Sequence, residues 1–251
     1  MAQLADRLSS LGGAGWFVLV SAPFIGSFLG VVIRRLPEGR SIVGGRSTCE
    51  SCGALLTARE LLPLVSWFFQ HARCGHCGRP LGWFYPGVEL AAITIAIIAV
   101  AIGQQPPWLG SLLGWWLLAL GWIDMEHGLL PDALTLPLVV IGLVIAAIFD
   151  PENLADRAAA AALGYLALRT LAFAYYRLRH REGLGQGDAK LFAAAGAWLG
   201  IAALPEVILL AAGAALAMAA GFGLAGTRLR AHSALPFGPF LALATWLIWL
   251  I

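Results

Sequence analysis

Long apolar runs separated by short polar breaks occupy nearly the whole chain. Eight stand out, at residues 15–33, 88–103, 108–124, 133–149, 158–178, 190–203, 205–224 and 235–251. Most approach the ~20 residues a helix needs to cross about 30 Å of hydrocarbon. Inside a bilayer each backbone N–H and C=O must be satisfied within its own segment, so such runs fold as helices. The pattern predicts an all-α polytopic membrane protein with about eight transmembrane helices. One interval breaks the rhythm. Residues 34–86 are too rich in Gly, Arg and Cys to span, and they predict a small domain outside the membrane. The chain therefore divides into a first segment (1–33), an insertion (34–86) and a membrane core (87–251). Comparable runs recur to the end, so the first is expected to be a span and not a removable signal.

Composition agrees with the pattern. Hydrophobic residues make up 60% of the chain and charged residues 12%, and the mean hydropathy is +0.82. A soluble domain carries about twice that share of charge. The net charge of +2 offers no field for a polyanion, and the ten tryptophans suit aromatic belts at the membrane surfaces. Lipid is thus an expected partner and nucleic acid is not. Thirteen of the sixteen basic residues fall in three regions: the insertion, with seven arginines; the loop after the fifth run (Arg177, Arg179, Arg181, Lys190); and the stretch after the seventh (Arg228, Arg230). Retention of Lys and Arg on the cytoplasmic side puts these regions inside and both termini outside, with Asp150, Glu152 and Asp156. Arg169 is the exception, a charge in mid-segment. It either faces protein or water, or snorkels to the interface.

Two acidic sites are delivered to the same edge by this topology. The third run ends in Gly121-Trp122-Ile123-Asp124-Met125-Glu126-His127, and Asp132 follows before the fourth. The sixth is preceded by Glu182-Gly183-Leu184-Gly185-Gln186-Gly187-Asp188-Ala189-Lys190. Asp124 and Asp188 are expected to meet. Two carboxyls sharing one proton can hydrolyse a peptide without an acyl-enzyme, the ionised member drawing a proton from water while the neutral one hydrogen-bonds the carbonyl. Glu126 and Asp132 can equally be acids that solvate loop ends. The glycines around Asp188 permit close backbone approach. They lack the G-x-G-x-x-G spacing of a dinucleotide site.

All four cysteines lie in the insertion. Cys49, Cys52, Cys74 and Cys77 form C-x2-C-x21-C-x2-C, the spacing of a structural zinc site of the ribbon type. A closed four-thiolate shell leaves no open position, so such zinc folds the insertion and takes no part in hydrolysis. His76, inside the second pair, is expected at the turn and not as a ligand.

The sequence resembles the type IV prepilin peptidases, membrane-embedded aspartyl proteases. The likeness rests on Gly185-x-Gly187-Asp188 with Ala189-Lys190-Leu191, on Gly26-Ser27-Phe28-Leu29 with Val31-Val32-Ile33 and Arg35-Leu36-Pro37, on Tyr85-Pro86 with Val88-Glu89-Leu90, on Leu130-Pro131-Asp132, and on Pro236-Phe237-Gly238-Pro239. Gly30 stands where an Asn is usual and Glu126 where a second Asp often follows. The resemblance implies catalysis by Asp124 and Asp188, and a tetracysteine domain linked to the full bifunctional activity and to substrate recognition. It implies prepilin and pseudopilin substrates of type IV pili or type II secretion, cut after a glycine on the cytoplasmic side of the bacterial inner membrane. It further implies N-methylation of the new terminus with S-adenosylmethionine as co-substrate. The insertion is too small for a soluble methyltransferase fold, so that site must be built from loops and membrane helices. Its arginines suit anionic lipid headgroups or the co-substrate's carboxylate. A peptidase without methylation is the nearest alternative. A transporter would hold its carboxylates near the bilayer midplane, often within an inverted repeat, and neither feature is seen. A structural secretion component would tolerate loss of both aspartates.

Overall fold

A computed structural model describes residues 12–49, 51–104, 106–180, 185–224 and 236–251. Among these the chain is helical, with two isolated β-bridges and no β-strand. The elements are α1 (Gly13–Arg35), α2 (Val65–Phe69), α3 (Phe84–Ile102), α4 (Pro107–His127), α5 (Asp132–Phe149), a 3-10 turn (Pro151–Asn153), α6 (Leu154–Arg179), α7 (Gln186–Leu199), α8 (Leu204–Leu224) and α9 (Gly238–Leu250). Each of the eight apolar runs has its helix. Among the described residues, six helices are long and apolar enough to cross a membrane. The other two, α7 and α9, have 14 and 13 residues, a rise of about 20 Å each and short of the ~30 Å hydrocarbon layer. Of the expected features, Glu50, Arg181–Leu184, Arg228, Arg230 and the start of the last run lie outside the described residues.

The chain forms two compact units, residues 1–115 and 116–251. In the first, α1 packs along α3. Gly26 makes this close: a Cβ there would lie 2.6 Å from the Glu89 Cα. Gly30, one turn on, faces the Tyr85 ring, which a Cβ would meet at 2.7 Å. The two form the G-x-x-x-G spacing that lets membrane helices approach, and the Tyr85 ring leaves no room for the asparagine usual at position 30. Trp115 donates from Nε1 to the Ala92 carbonyl at 2.9 Å and ties α4 to α3.

The second unit is built around α7, whose residues are buried almost without interruption from Asp188 to Trp198. It packs against α5, α6 and α9. Small residues allow the contacts. A Cβ on Gly196 would lie 2.5 Å from the Ala160 backbone of α6, and one on Gly142 would strike the Trp198 ring at 2.6 Å. Trp198 itself donates from Nε1 to the Leu138 carbonyl at 2.9 Å. A helix this short and this enclosed is surrounded by protein. Outward apolar side chains such as Leu171, Phe173, Leu209 and Leu216 are exposed, the surface expected where lipid is the solvent. Arg169 is half-buried midway along α6.

Candidate active site

Asp124 lies in the last turns of α4 and Asp188 in the first turn of α7, only 6% and 8% exposed. The two are close enough for the charge of one to act on the other. Each carboxyl is held by a backbone amide. Gly238 donates to Asp124 Oδ2 at 2.9 Å, and Gly185 donates to Asp188 Oδ2 at 3.2 Å. The second bond runs from the helix cap to its third residue, a common way of satisfying an orphan N–H at a helix start.

Glycine is needed at several of these positions. A Cβ on Gly238 would lie 2.6 Å from Asp124 Oδ2, and one on Gly187 would lie 2.6 Å from the buried Leu130 side chain. Leu130 sits in the loop joining α4 to α5. The glycines just ahead of Asp188 thus let α7 begin against that loop and bring two acids from distant sequence near one another in the second unit. The Gly238 amide was not foreseen as a ligand of Asp124, although Pro236-Phe237-Gly238-Pro239 drew notice as a motif. A sequence cannot show which backbone N–H points at which carboxylate.

The other acids at this edge behave differently. Asp132 is exposed and forms an ion pair with Lys190, bridging the start of α5 to the first turns of α7. Glu126 is exposed and accepts from Trp122 Nε1 at 3.0 Å. Neither joins the buried pair.

In the first unit the four Sγ atoms of Cys49, Cys52, Cys74 and Cys77 all lie within 4.8 Å of one another. A tetrahedral shell with Zn–S of about 2.3 Å needs S···S of about 3.8 Å, so this set can close on one ion by small side-chain adjustments. The backbone explains the convergence. Two matching turns present the pairs: Thr48 bridges Leu55 and Arg73 bridges Pro80, and Gly53 and Gly78 take left-handed φ of 71° and 68°. In each, the first cysteine accepts at its carbonyl from that glycine, at 2.8 and 2.9 Å. Backbone amides donate to the sulfurs of Cys49 and Cys74. The amides of Cys52 and Ser51 bring the Cys49 thiol down to about 7, and the His76 amide donates to Cys74 Sγ at 3.4 Å. His76 turns its ring away, 3.5 Å from Glu60. Glu60 is held below the usual carboxylate range by the amide and hydroxyl of Thr57.

Family comparison fits both halves of this arrangement. Residues 20–102 match the bacterial peptidase A24 N-terminal domain, and residues 111–221 match the type IV leader peptidase family. The chain belongs to the type IV leader peptidase family. A prepilin leader peptidase/N-methyltransferase of Aeromonas hydrophila is 40% identical over 92% of this chain and 89% of its own. Proteins of the same name from Burkholderia pseudomallei (strain 1026b) and Pseudomonas aeruginosa are 40% and 36% identical, each over 90% of this chain and over 82% and 87% of their own lengths. No solved structure matches. As a member of this peptidase family, the chain is an enzyme and a multi-pass membrane protein.

Proposed function

We propose that this enzyme removes the leader of prepilins and pseudopilins, cutting after a glycine at the cytoplasmic side of the bacterial inner membrane. It then methylates the new N-terminus with S-adenosylmethionine. The observation that carries the cleavage is the buried pair Asp124 and Asp188, supplied by two helices and each held by a backbone amide.

With one proton shared between the two carboxyls, the ionised member accepts a proton from water as the water oxygen attacks the scissile carbonyl carbon. The other donates its proton to the carbonyl oxygen. On collapse the C–N bond breaks, the amine nitrogen takes the proton drawn from water, and a hydroxyl proton returns to its donor. Burial excludes bulk water from competing for these hydrogen bonds. Asp132 and Lys190 support the start of α7, and Asp188 with it.

Residues 34–86 form the zinc-binding domain of this reading, between the first segment and the core that bears the aspartates. Cys49, Cys52, Cys74 and Cys77 are its ligands, and the zinc is structural. The basic residues around it favour a cytoplasmic position for it and for the active site. The shared name of the relatives supports the methylation. S-adenosylmethionine, when bound, supplies the methyl group.

The test is reconstitution of the purified chain in liposomes with a prepilin and S-adenosylmethionine, followed by mass spectrometry. Leader release, and a mature product heavier by one methyl group, are expected. An intact prepilin in the presence of folded enzyme contradicts the cleavage, and an unmodified mature product contradicts the methylation.

A further inference from the structure

Residues 61–69 read Leu-Leu-Pro-Leu-Val-Ser-Trp-Phe-Phe, with Ser66 the one polar side chain. They lie inside the insertion, whose remaining sequence predicts a domain outside the membrane. The stretch is far too short to span a bilayer. It contains α2, and its large side chains point outward. Phe68 and Phe69 are 76% and 81% exposed, and Leu61, Leu62 and Val65 are exposed with them. Leu64, Val65, Phe68, Phe69 and His71 line an open groove of about 530 Å³. Contiguous apolar surface of this kind marks a protein partner or a membrane.

Three contacts set the depth of this segment against the two spans that carry the insertion. The Leu64 amide donates to Glu89 Oε2 at 2.8 Å. Glu89 is the sixth residue of α3, about 8 Å along the helix from Phe84. The Ser27 hydroxyl donates to the same carboxyl, and Ser27 lies eight residues before Arg35 at the end of α1, a rise of about 12 Å. The Trp67 ring packs on that of Trp83, just ahead of α3, with centroids 4.4 Å apart. The segment therefore folds back from the cysteine turns to lie beside the last turns of α1 and the first turns of α3. Phe28, next to Ser27, is exposed on α1 at that level, so the apolar patch shares its depth with lipid-facing surface of a span.

Backbone and flanking charge suit such a place. The amides of Leu62, Ser66, Phe68 and Gln70 are bonded to the carbonyls of Arg59, Leu62, Leu64 and Ser66, and Glu89 takes the amide of Leu64. Backbone donors satisfied within the protein are what an apolar surrounding demands. Arg59 ahead of the segment and Arg73 after it are exposed, the arrangement in which a short apolar face enters the acyl boundary while cations meet anionic headgroups.

We propose that residues 61–69 are an interfacial membrane anchor, with Val65, Phe68 and Phe69 in contact with the acyl chains of the enzyme's own bilayer and Arg59 and Arg73 at its phosphates. The insertion then dips into the membrane between its two cysteine pairs, and the metal-binding turns are held at the bilayer surface.

The experiment places a diazirine-bearing phenylalanine analogue at position 68, and separately at 69, in the full chain reconstituted in liposomes of phosphatidylethanolamine and phosphatidylglycerol. Position 209 on α8, 72% exposed, is the lipid-facing reference. Position 43, 94% exposed in the loop that Arg35 holds past the end of α1, is the water-facing one. After irradiation, mass spectrometry measures adducts to phospholipid, to water and to protein. The analogue replaces an exposed phenylalanine with a side chain of nearly the same size, so the fold is retained. Phospholipid adducts at 68 and 69 in a yield close to that at 209, and well above that at 43, are the expected result. A phospholipid yield at both positions no higher than at 43 overturns the proposal, whether the label has gone to water or to a second copy of the chain.

Discussion

Gly238→Ala puts a methyl group against the carboxyl of Asp124. The added Cβ would lie 2.6 Å from Oδ2, 3.0 Å from Cγ and 3.2 Å from Cβ of that residue. Relaxed contact between heavy atoms is about 3.5 Å, so the carboxyl must retreat by roughly 0.9 Å or α9 must move by that much. Either movement stretches the 2.9 Å bond from the Gly238 amide. A hydrogen bond to a charged group contributes about 1.5–3 kcal/mol. If all of it is lost from the transition state, the rate falls about 10- to 100-fold. A displacement of about 1 Å at a reacting group has a similar effect, near 100-fold. The assay is single-turnover cleavage of a prepilin in detergent micelles, with enzyme in excess. The expectation is a fall of 10- to 100-fold in the first-order rate, with the enzyme concentration giving half-maximal rate little changed. Gly213→Ala on α8 is the control, because nothing lies within 4 Å of its added Cβ. It should leave cleavage intact and stabilise the helix by about 0.5–1 kcal/mol. A Gly238→Ala enzyme that cleaves at the wild-type rate would refute the role given to the Asp124 position.

Three further outcomes follow. Gly196→Ala drives a Cβ to 2.5 Å from the backbone of Ala160; backbone cannot rotate aside, so thermal unfolding should show destabilisation of about 1–3 kcal/mol or more. Elemental analysis should find one zinc per chain, and Cys49→Ser should lower that content and expose residues 40–82 to limited proteolysis, since a structural zinc supplies folding free energy. Asp150 is held below the ordinary carboxylate value of 3.8, chiefly by a hydrogen bond from Arg157 and then by one from Asn153. A depressed carboxyl adds stability that is complete above its unfolded pKa and is lost as the pH falls through its folded one. Thermal midpoints measured from pH 6 to pH 3 should therefore drop less steeply at the acid end in Asp150→Asn than in the wild type, and parallel curves would contradict the pairing.

Hydropathy alone located every long helix to within a few residues, because a span must be apolar over its full length. It could not tell a span from a short helix enclosed by protein. The run at 190–203 looks like its neighbours, yet α7 begins at Gln186 and ends at Leu199, sheathed by α5, α6 and α9. Asp124 and Asp188 were legible because acids are rare in such a chain and charge placement set both at one edge. The amides that hold them, and the Lys190–Asp132 pair, depend on how helices meet and carry no local signature. The cysteine spacing anticipated directly that the four sulfurs would cluster. Glu89 drew notice within the Val88-Glu89-Leu90 motif, but its burial and its bond from the Leu64 amide could not be read from the sequence.

The central claim concerns two side chains and is best tested on them. Cleavage of a prepilin in membranes should be measured for the wild type, Asp124→Asn and Asp188→Asn, with expression and insertion verified for each. Asparagine keeps the size and most hydrogen bonds of the carboxyl but cannot accept or return the proton. The account predicts that both variants lose cleavage while the wild type is active. Retention of cleavage in either variant would contradict it and return attention to Glu126 and Asp132.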